Sequence, residues 1–535
     1  MTMWPCRSCI GKTKTKKREK TPFPFSLLLF AFFFYYLFRI SSVLCVFFFL
    51  SFPYFFFFLR AYNIRCTHTK AMSSVENIPV SIPEMETLCE KKEAAVTTLL
   101  QKVLSQYGNV YPPQFMKCAN EEDRRILAYK YLKARSWKVS DSMEMIKENM
   151  TFRAKHDADH MNLFPCVFPL RGFDEEDLCR TIQDPYTEKQ RWTELCYLAT
   201  APYYSAGYHY WDKEGHPVLY DFCGRSDLKG LFKSIGAITP VGDQAKDTIL
   251  RYHLYMNLVQ ERLVKYADAK SVERGGRRIL GVTAVLNAEG LSWGMINSQS
   301  LDVLRETIRM DQKYFPEALH RLIVINCPSF VTHAYSLIRG SLDKNTQQKI
   351  IFCEKAYSME LLKKIVDEDK IPVFLGGSCS CSGGCLPGID SECRSLADAP
   401  FPVPRTEYVS IAAGKRHTIE FLLQPDEEAQ WEFRCTKSWG GQATEIGFRA
   451  VFASQDDVDT GDSFWTNPTV GSQRTSGSLY GLLEVSSSFR ELKSEKMEMD
   501  RDRFVAKVCG TLKLEWDNHS SWLQTKYLQL RVIKT

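Results

Sequence analysis

At 535 residues, 44% hydrophobic and 25% charged, the chain has room for two or three domains with proper cores, which excludes an intrinsically disordered protein. Its formal charge of +6 comes from the first 71 residues, where eleven Lys and Arg accompany the single acid Glu19; their net +10 leaves −4 for the rest. A strongly basic nucleic-acid binder is thereby excluded for the folded part, and 18 scattered cysteines imply mostly free thiols in a reducing compartment.

Residues 1–71 join a basic run, Lys12 to Lys20, to Phe- and Leu-rich stretches broken only by Arg39. Between Arg39 and Arg60 no charge occurs, enough to span a bilayer, so one reading is a signal anchor over residues 22–59. The other starts from composition: Phe, Leu, Ser and Pro all have pyrimidine-only codons, as translated upstream sequence would. Met72 opens an ordinary polar sequence and is the expected start.

Residues 72–195 read as a helical module and its connection. Leu127, Tyr131 and Ala134 recur at i, i+4 and i+7, and Asp141 with Glu144 suggests a capping box ahead of Ile146 and Met150. From residue 196 to 378 apolar strands alternate with helices: Pro217 to Phe222, Ile279 to Leu286, Arg321 to Asn326 and Lys349 to Cys353. That pattern predicts an α/β domain whose parallel sheet is covered on its faces.

Residues 379–404, rich in Cys, Gly and Pro, read as a linker. Residues 405–535 alternate at period two, as in Trp431 and Phe433, Ile446 to Phe452, and Leu512, Leu514 and Trp516. They predict an all-β sandwich interrupted by a polar loop from Ser454 to Arg501.

Three patterns hint at chemistry. Gly290-Leu-Ser292-Trp-Gly294 matches the G-x-S-x-G of serine hydrolases, with Asp302 and His320 downstream. Three residues separate it from the preceding strand, bulky Trp293 follows the serine, and no HGGG-like stretch lies upstream, all unlike a nucleophile elbow. Cys118 and Arg124 fit Cys-x5-Arg, but three intervening acids would raise rather than lower the thiol pKa. Cys379, Cys381, Cys385 and Cys393 lack the paired C-x2-C spacing of zinc knuckles, so a metal-free loop is the expectation.

From Glu86 to Gly377 the chain resembles, in order, the CRAL-TRIO lipid-transfer family, particularly the secretory phosphatidylinositol/phosphatidylcholine transfer proteins. The resemblance is carried by YLKARSWKVSDSMEMIKEN, WDKEGHPVLY, LNAEGLS, DQKYFPEALHRLIVINCPSFV and IPVFLGG. It implies a non-enzymatic protein that holds one lipid, exchanges it at a membrane and needs no cofactor beyond that lipid. It also implies that Gly290 and Ser292 form a shaping turn.

PSFVTHAYSLIRGSL resembles the family's gate helix, with Phe330, Ala334, Leu337 and Ile338 as its inner face. Where phosphatidylinositol-binding members carry an Arg-Lys pair, a Glu and a gate Lys, this chain has Arg135 followed by Ser136, then Glu306 and Arg339; Lys133 and Lys138 stand close to the missing cation. Val282 and Ala284 replace hydroxyl residues of phosphatidylcholine binders, which weighs against that headgroup.

QWEFRCTKSWGGQATEIGFRAVF and GTLKLEWDNHSSWLQTKYLQLRV resemble the GOLD β-sandwich, with Trp522 expected in its core. That likeness implies protein partners or membrane-surface contacts. Together the resemblances imply a cytoplasmic protein, peripheral on Golgi or endosomal membranes and anchored if residues 22–59 are genuine. A lipid-regulated adaptor in vesicle traffic is the alternative to a carrier, and a serine hydrolase using Ser292 is the third class.

Overall fold

The computed structural model describes residues 78–79, 81–454, 483–484 and 500–534. The apolar segment 22–59 and nearly all of the expected polar loop lie outside the described residues.

Four helices open the chain: α1 (Glu90–Gln106), α2 (Pro113–Met116), α3 (Glu121–Ala134) and α4 (Val139–Lys155). Asn120 caps α3 by accepting from the Asp123 N–H, a sound start for a helix whose first turn holds three acids. Helix α4 begins before the expected capping box, so Asp141 sits inside its first turn, where the helix dipole favours its charge. Tyr131, Leu132, Leu99 and Val103 close a small core between the helices. Buried Arg153 ties the module to the next domain through Asp159 at 2.7 Å and Glu261 at 3.3 Å.

The α/β domain follows as β1 (Leu170–Arg171), α5 (Glu175–Ile182), α6 (Arg191–Thr200), β2 (Ala206–Trp211), β3 (Pro217–Asp221), α7 (Leu228–Ile238) and α8 (Ala245–Glu273). It continues as β4 (Val282–Asn287), α9 (Ser298–Tyr314), β5 (Leu319–Ile325), α10 (Val331–Arg339), α11 (Lys344–Gln348), β6 (Ile350–Phe352) and α12 (Lys355–Ile365). The six strands lie in sequence order, and β3 to β6 are parallel as expected. Strand β2 pairs antiparallel with β3 because the tight Asp212–His216 turn joins them as a hairpin.

One sheet face packs Val218, Tyr220, Val285 and Ile323 against Leu361, Leu362 and Ile365 of α12. The segment read as a linker is laid along this domain. Leu386 is buried in the same core, and Leu396, Phe401 and Val403 pack on the core beneath α6 and α8.

The last strands are β7 (Thr406–Ile411), β8 (Arg416–Leu423), β9 (Glu428–Thr436), β10 (Gly447–Ser454), β11 (Leu483–Glu484), β12 (Asp500–Val505), β13 (Gly510–Asp517) and β14 (Lys526–Lys534). They form two antiparallel sheets, β11-β10-β13-β8 and β12-β9-β14-β7, packed around Trp431, Phe433, Phe448 and Trp516. Trp522 is not in that core: it is 93% exposed beside Leu523, 97% exposed. Asn518 donates to the carbonyls of Ile411 and Gln524, pinning the base of the β13–β14 turn and leaving its tip in solvent.

Candidate functional site

The second sheet face differs from the first. Successive strand residues alternate between faces, so Leu219, Ala284, Leu322 and Ile350, which are register partners across β3 to β6, form one row on one side. All four are only half-buried, whereas Tyr220, Val285 and Ile323 behind them are at most 1% exposed. At one end Leu219 and Val282 pack into the core under α8. At the other, Val324 and Phe352 pack under Val331 and Tyr335 of α10.

Leu322 and Ile350 pack against that same α10 cluster, so the row runs from beneath α8 to beneath α10 with Ala284 in the middle. Helix α9 packs on α4 and α8 and contains no buried residue, although Leu301, Val303, Leu304, Ile308 and Met310 are apolar. It is tied to the α10 segment by Arg305 donating to the Leu337 carbonyl at 3.2 Å and Gln312 donating to the Ser341 carbonyl at 2.6 Å. The arrangement is a half-buried apolar floor on the sheet, flanked by α8 and α10.

The segment expected to be the gate forms helix α10, but its buried face is Val331 and Tyr335, with Ile338 and Phe330 partly buried beside them. Ala334 is half-buried, and Leu337 is 45% exposed. Phe330 stacks at a tilt on Trp293, with ring centroids 5.1 Å apart, so the start of α10 leans on the turn after β4.

The three expected headgroup residues do not meet. Arg135 caps the C-terminus of α3 and donates to the Ala134 carbonyl at 3.2 Å. Arg339 ends α10 and donates to Gln347 at 3.0 Å, while Glu306 pairs with Arg309 on α9. Among the described residues no hydrogen bond or ion pair joins any two of them. Lys133 lies 3.3 Å from Glu317, and Lys138 is an exposed partner of Asp141.

Glu306 does line a separate cavity of about 1280 Å³, where α4, α6, α8 and α9 meet the sandwich. Its apolar wall includes Phe152, Trp192, Leu254 and Met310, and its rim carries Arg251, Arg309, Lys313 and Arg531. The guanidinium of Arg251 lies 4.3 Å from the Trp192 ring centroid. Neither this cavity nor the floor row was singled out from sequence, though the alternation in β3 and β4 was the available signal for the row.

Ser292 is exposed at the head of a short 3-10 turn, Trp293–Met295, in ordinary extended backbone and without a capping hydrogen bond. A nucleophile elbow holds its serine in a strained turn. Asp302 pairs with Lys246, and buried His320 sits at the opening of β5, the opposite end of the parallel sheet from the β4 exit. The hydrolase constellation is therefore not assembled.

The opposite sheet end is an ionic cluster. Glu84 Oε1 lies 2.9 Å from His216 Nε2 and 2.6 Å from His320 Nδ1, and the two rings stack at 3.8 Å. Burial opposes protonation of His216, but Asp212 and Glu84 outweigh it and raise its pKa to about 9. Burial likewise opposes ionisation of Glu84, and the two histidines overcome it, holding the carboxyl well below its ordinary range. These groups bind the segment around Glu84 to the sheet.

With this geometry in view, residues 202–377 match the CRAL/TRIO domain family. The chain contains a CRAL/TRIO domain. It is 26% identical to "Phosphatidylinositol/phosphatidylcholine transfer protein SFH13" of Arabidopsis thaliana, over 61% of this chain and 45% of that protein. It is 25% identical to "Protein real-time" of Drosophila melanogaster, over 50% of this chain and 35% of that one. Among solved structures, "Crystal structure of Sfh5" is similar at 18% identity and a TM-score of 0.34, covering 52% of this chain and 85% of that chain. The chain thus spans less than half the length of these two curated relatives.

Proposed function

We propose that the CRAL/TRIO domain encloses a single phospholipid, acyl chains on the Leu219–Ala284–Leu322–Ile350 floor, and that the protein transfers or presents it at a membrane without catalysing a reaction. The observation that carries this reading is the floor itself, a row of apolar side chains left half-buried while Val218, Tyr220, Val285 and Ile323 on the other sheet face are buried. Each methylene moved into water costs about 0.8 kcal/mol, so such a row favours an apolar guest over solvent. The names of the Arabidopsis relatives support phosphatidylinositol or a related phospholipid as the guest class.

Release requires α10 to move. Its short length, its small buried face and its contact with Trp293 suit it to act as a lid. Arg135, Glu306 and Arg339 lie apart here, so their assignment rests on the sequence resemblance: the two guanidiniums would pair with the phosphodiester and Glu306 with the headgroup hydroxyls.

Trp522 and Leu523, adjacent and solvent-exposed, suit a membrane interface or a protein partner, so the sandwich is assigned to docking. Their exposure also favours a second reading, an adaptor in which lipid occupancy regulates recruitment. Either role suits the cytoplasmic face of Golgi or endosomal membranes.

The test is native mass spectrometry with lipid extraction on protein from a eukaryotic host, followed by transfer between vesicles. One phospholipid per chain and transfer that fails in Leu322→Glu support the carrier. An empty protein after incubation with phosphatidylinositol vesicles overturns it.

A further inference from the structure

The loop that follows the CRAL/TRIO domain returns three cysteines to a histidine 170 residues earlier in the chain. Strand β2 slips register against β3 between Tyr208 and Trp211, and Tyr210 takes φ 54°. Such a bulge re-aims side chains, and here His209 is fully buried beside the loop. From the other side, the chain doubles back after Leu375. A Cβ on Gly377 would overlap the Ile371 carbonyl, and only that close approach lets the Cys379 N–H donate to Ile371 at 3.0 Å. Asp390 then accepts from the N–H groups of Cys385 and Leu386, at 2.9 and 2.8 Å, fixing the third cysteine.

The result is a compact donor set. Cys379 Sγ is 3.7 Å from Cys381 Sγ and 3.7 Å from His209 Nε2; Cys381 Sγ is 3.5 Å from the same nitrogen. With Cys385 Sγ included, all four atoms lie within 4.8 Å of one another. A tetrahedral zinc ion with Zn–S near 2.3 Å and Zn–N near 2.05 Å sets its ligands about 3.8 Å apart for S···S and about 3.5 Å for S···N. Three of the edges already have those lengths.

We propose that His209, Cys379, Cys381 and Cys385 form a structural Cys₃His zinc site that fastens the exit of the CRAL/TRIO domain to its edge strand. A disulfide is a poorer account, because it brings two sulfurs to about 2.05 Å and leaves the third thiol and the imidazole with no role. Soft sulfur ligands with one imidazole in tetrahedral array select zinc over calcium or magnesium. Each thiol gives up its proton on binding, three per site, leaving a net charge of −1. Arg171, which donates to the Gly383 carbonyl at 3.0 Å, supplies positive charge beside the loop. Because the segment from Cys379 onward leads to β7, the ion sets where the sandwich begins.

Metal analysis of the full chain, prepared with reductant and without a metal-affinity tag, tests this. One zinc per chain surviving gel filtration is expected, with loss in Cys385→Ser and His209→Ala and retention in Cys393→Ser, whose thiol faces the Ala201 carbonyl outside the cluster. Should the ligand variants fail to fold, wild-type protein decides: cobalt exchanged for zinc must show the visible bands of tetrahedral cobalt thiolate. Wild-type protein without zinc overturns the proposal, whether its thiols are free or Cys379 and Cys381 are joined in a disulfide.

Discussion

Arg531 of β14 donates from Nη2 to the carbonyl oxygen of Ile238 at 2.7 Å, joining the sandwich to the last turn of α7. A helix ends with carbonyls that have no partner of their own, and its C-terminal dipole favours a cation there. Arg531 Nε also donates to the Thr406 hydroxyl at 3.1 Å, which in turn donates to the Thr239 carbonyl at 2.5 Å. Arg531→Met is expected to weaken this junction by about 1.5–3 kcal/mol, the usual worth of hydrogen bonds to a charged group. Urea unfolding should show the loss, with faster proteolysis near residue 404. Arg531→Lys should restore only part of it, since an ammonium lacks the planar fork.

A second expectation concerns the turn after β4. Gly290 has φ +91°, and a Cβ there would stand 2.6 Å from the Gly224 carbonyl oxygen. Gly290→Ala should therefore cost about 1–3 kcal/mol of stability, strain and close contact acting together. Ser292→Ala, two residues on and exposed, should change stability by less than about 0.5 kcal/mol and leave bound lipid unaltered. Esterase activity in the wild type that Ser292→Ala abolishes would revive the catalytic reading.

The Glu84 cluster gives a pH signature. The pKa of His216, raised to about 9 in the folded chain, contributes stability that is complete below about 6.5 and disappears as pH climbs through 9. Glu84 has the opposite sign: held low, it stabilises above its ordinary pKa and loses that contribution only on acidification. His320, Asp212 and Thr283 complete the surroundings of these groups, and Arg321 pairs with Glu214 beside them. Melting temperature should fall between pH 7 and 10, and His216→Gln should flatten that limb. An unchanged limb in the variant would assign the alkaline loss to other groups.

The sequence revealed the sheet through continuous apolar strands, and the family order through short motifs spread over Glu86 to Gly377. Strand β2 escaped because AGYHYW mixes polar and aromatic residues and is bulged, so neither period is clean. The buried face of α10 came out one step away from that expected, with Ile338 common to both, since Val331, Tyr335 and Ile338 repeat at helical spacing as well as Phe330, Ala334 and Leu337 do. Trp522 obeyed the core alternation but falls in a turn pinned by Asn518. The meeting of His209 with Cys379 depends on a bulge and a chain reversal 170 residues apart, which no local spacing encodes.

The floor can be tested without introducing a charge. Ala284 is half-buried at the middle of the row, between Leu219 and Leu322 in register. If it faces space kept for a guest, Ala284→Phe should fill that space. The variant should then purify without lipid while unfolding at or above the wild-type temperature, because the added ring buries apolar area without displacing protein atoms. If Ala284 instead abuts packed side chains, overpacking should cost about 1–3 kcal/mol. Lipid extraction and thermal unfolding on the same sample separate the outcomes: lipid lost with stability kept marks the pocket, and stability lost with lipid retained removes Ala284 from it.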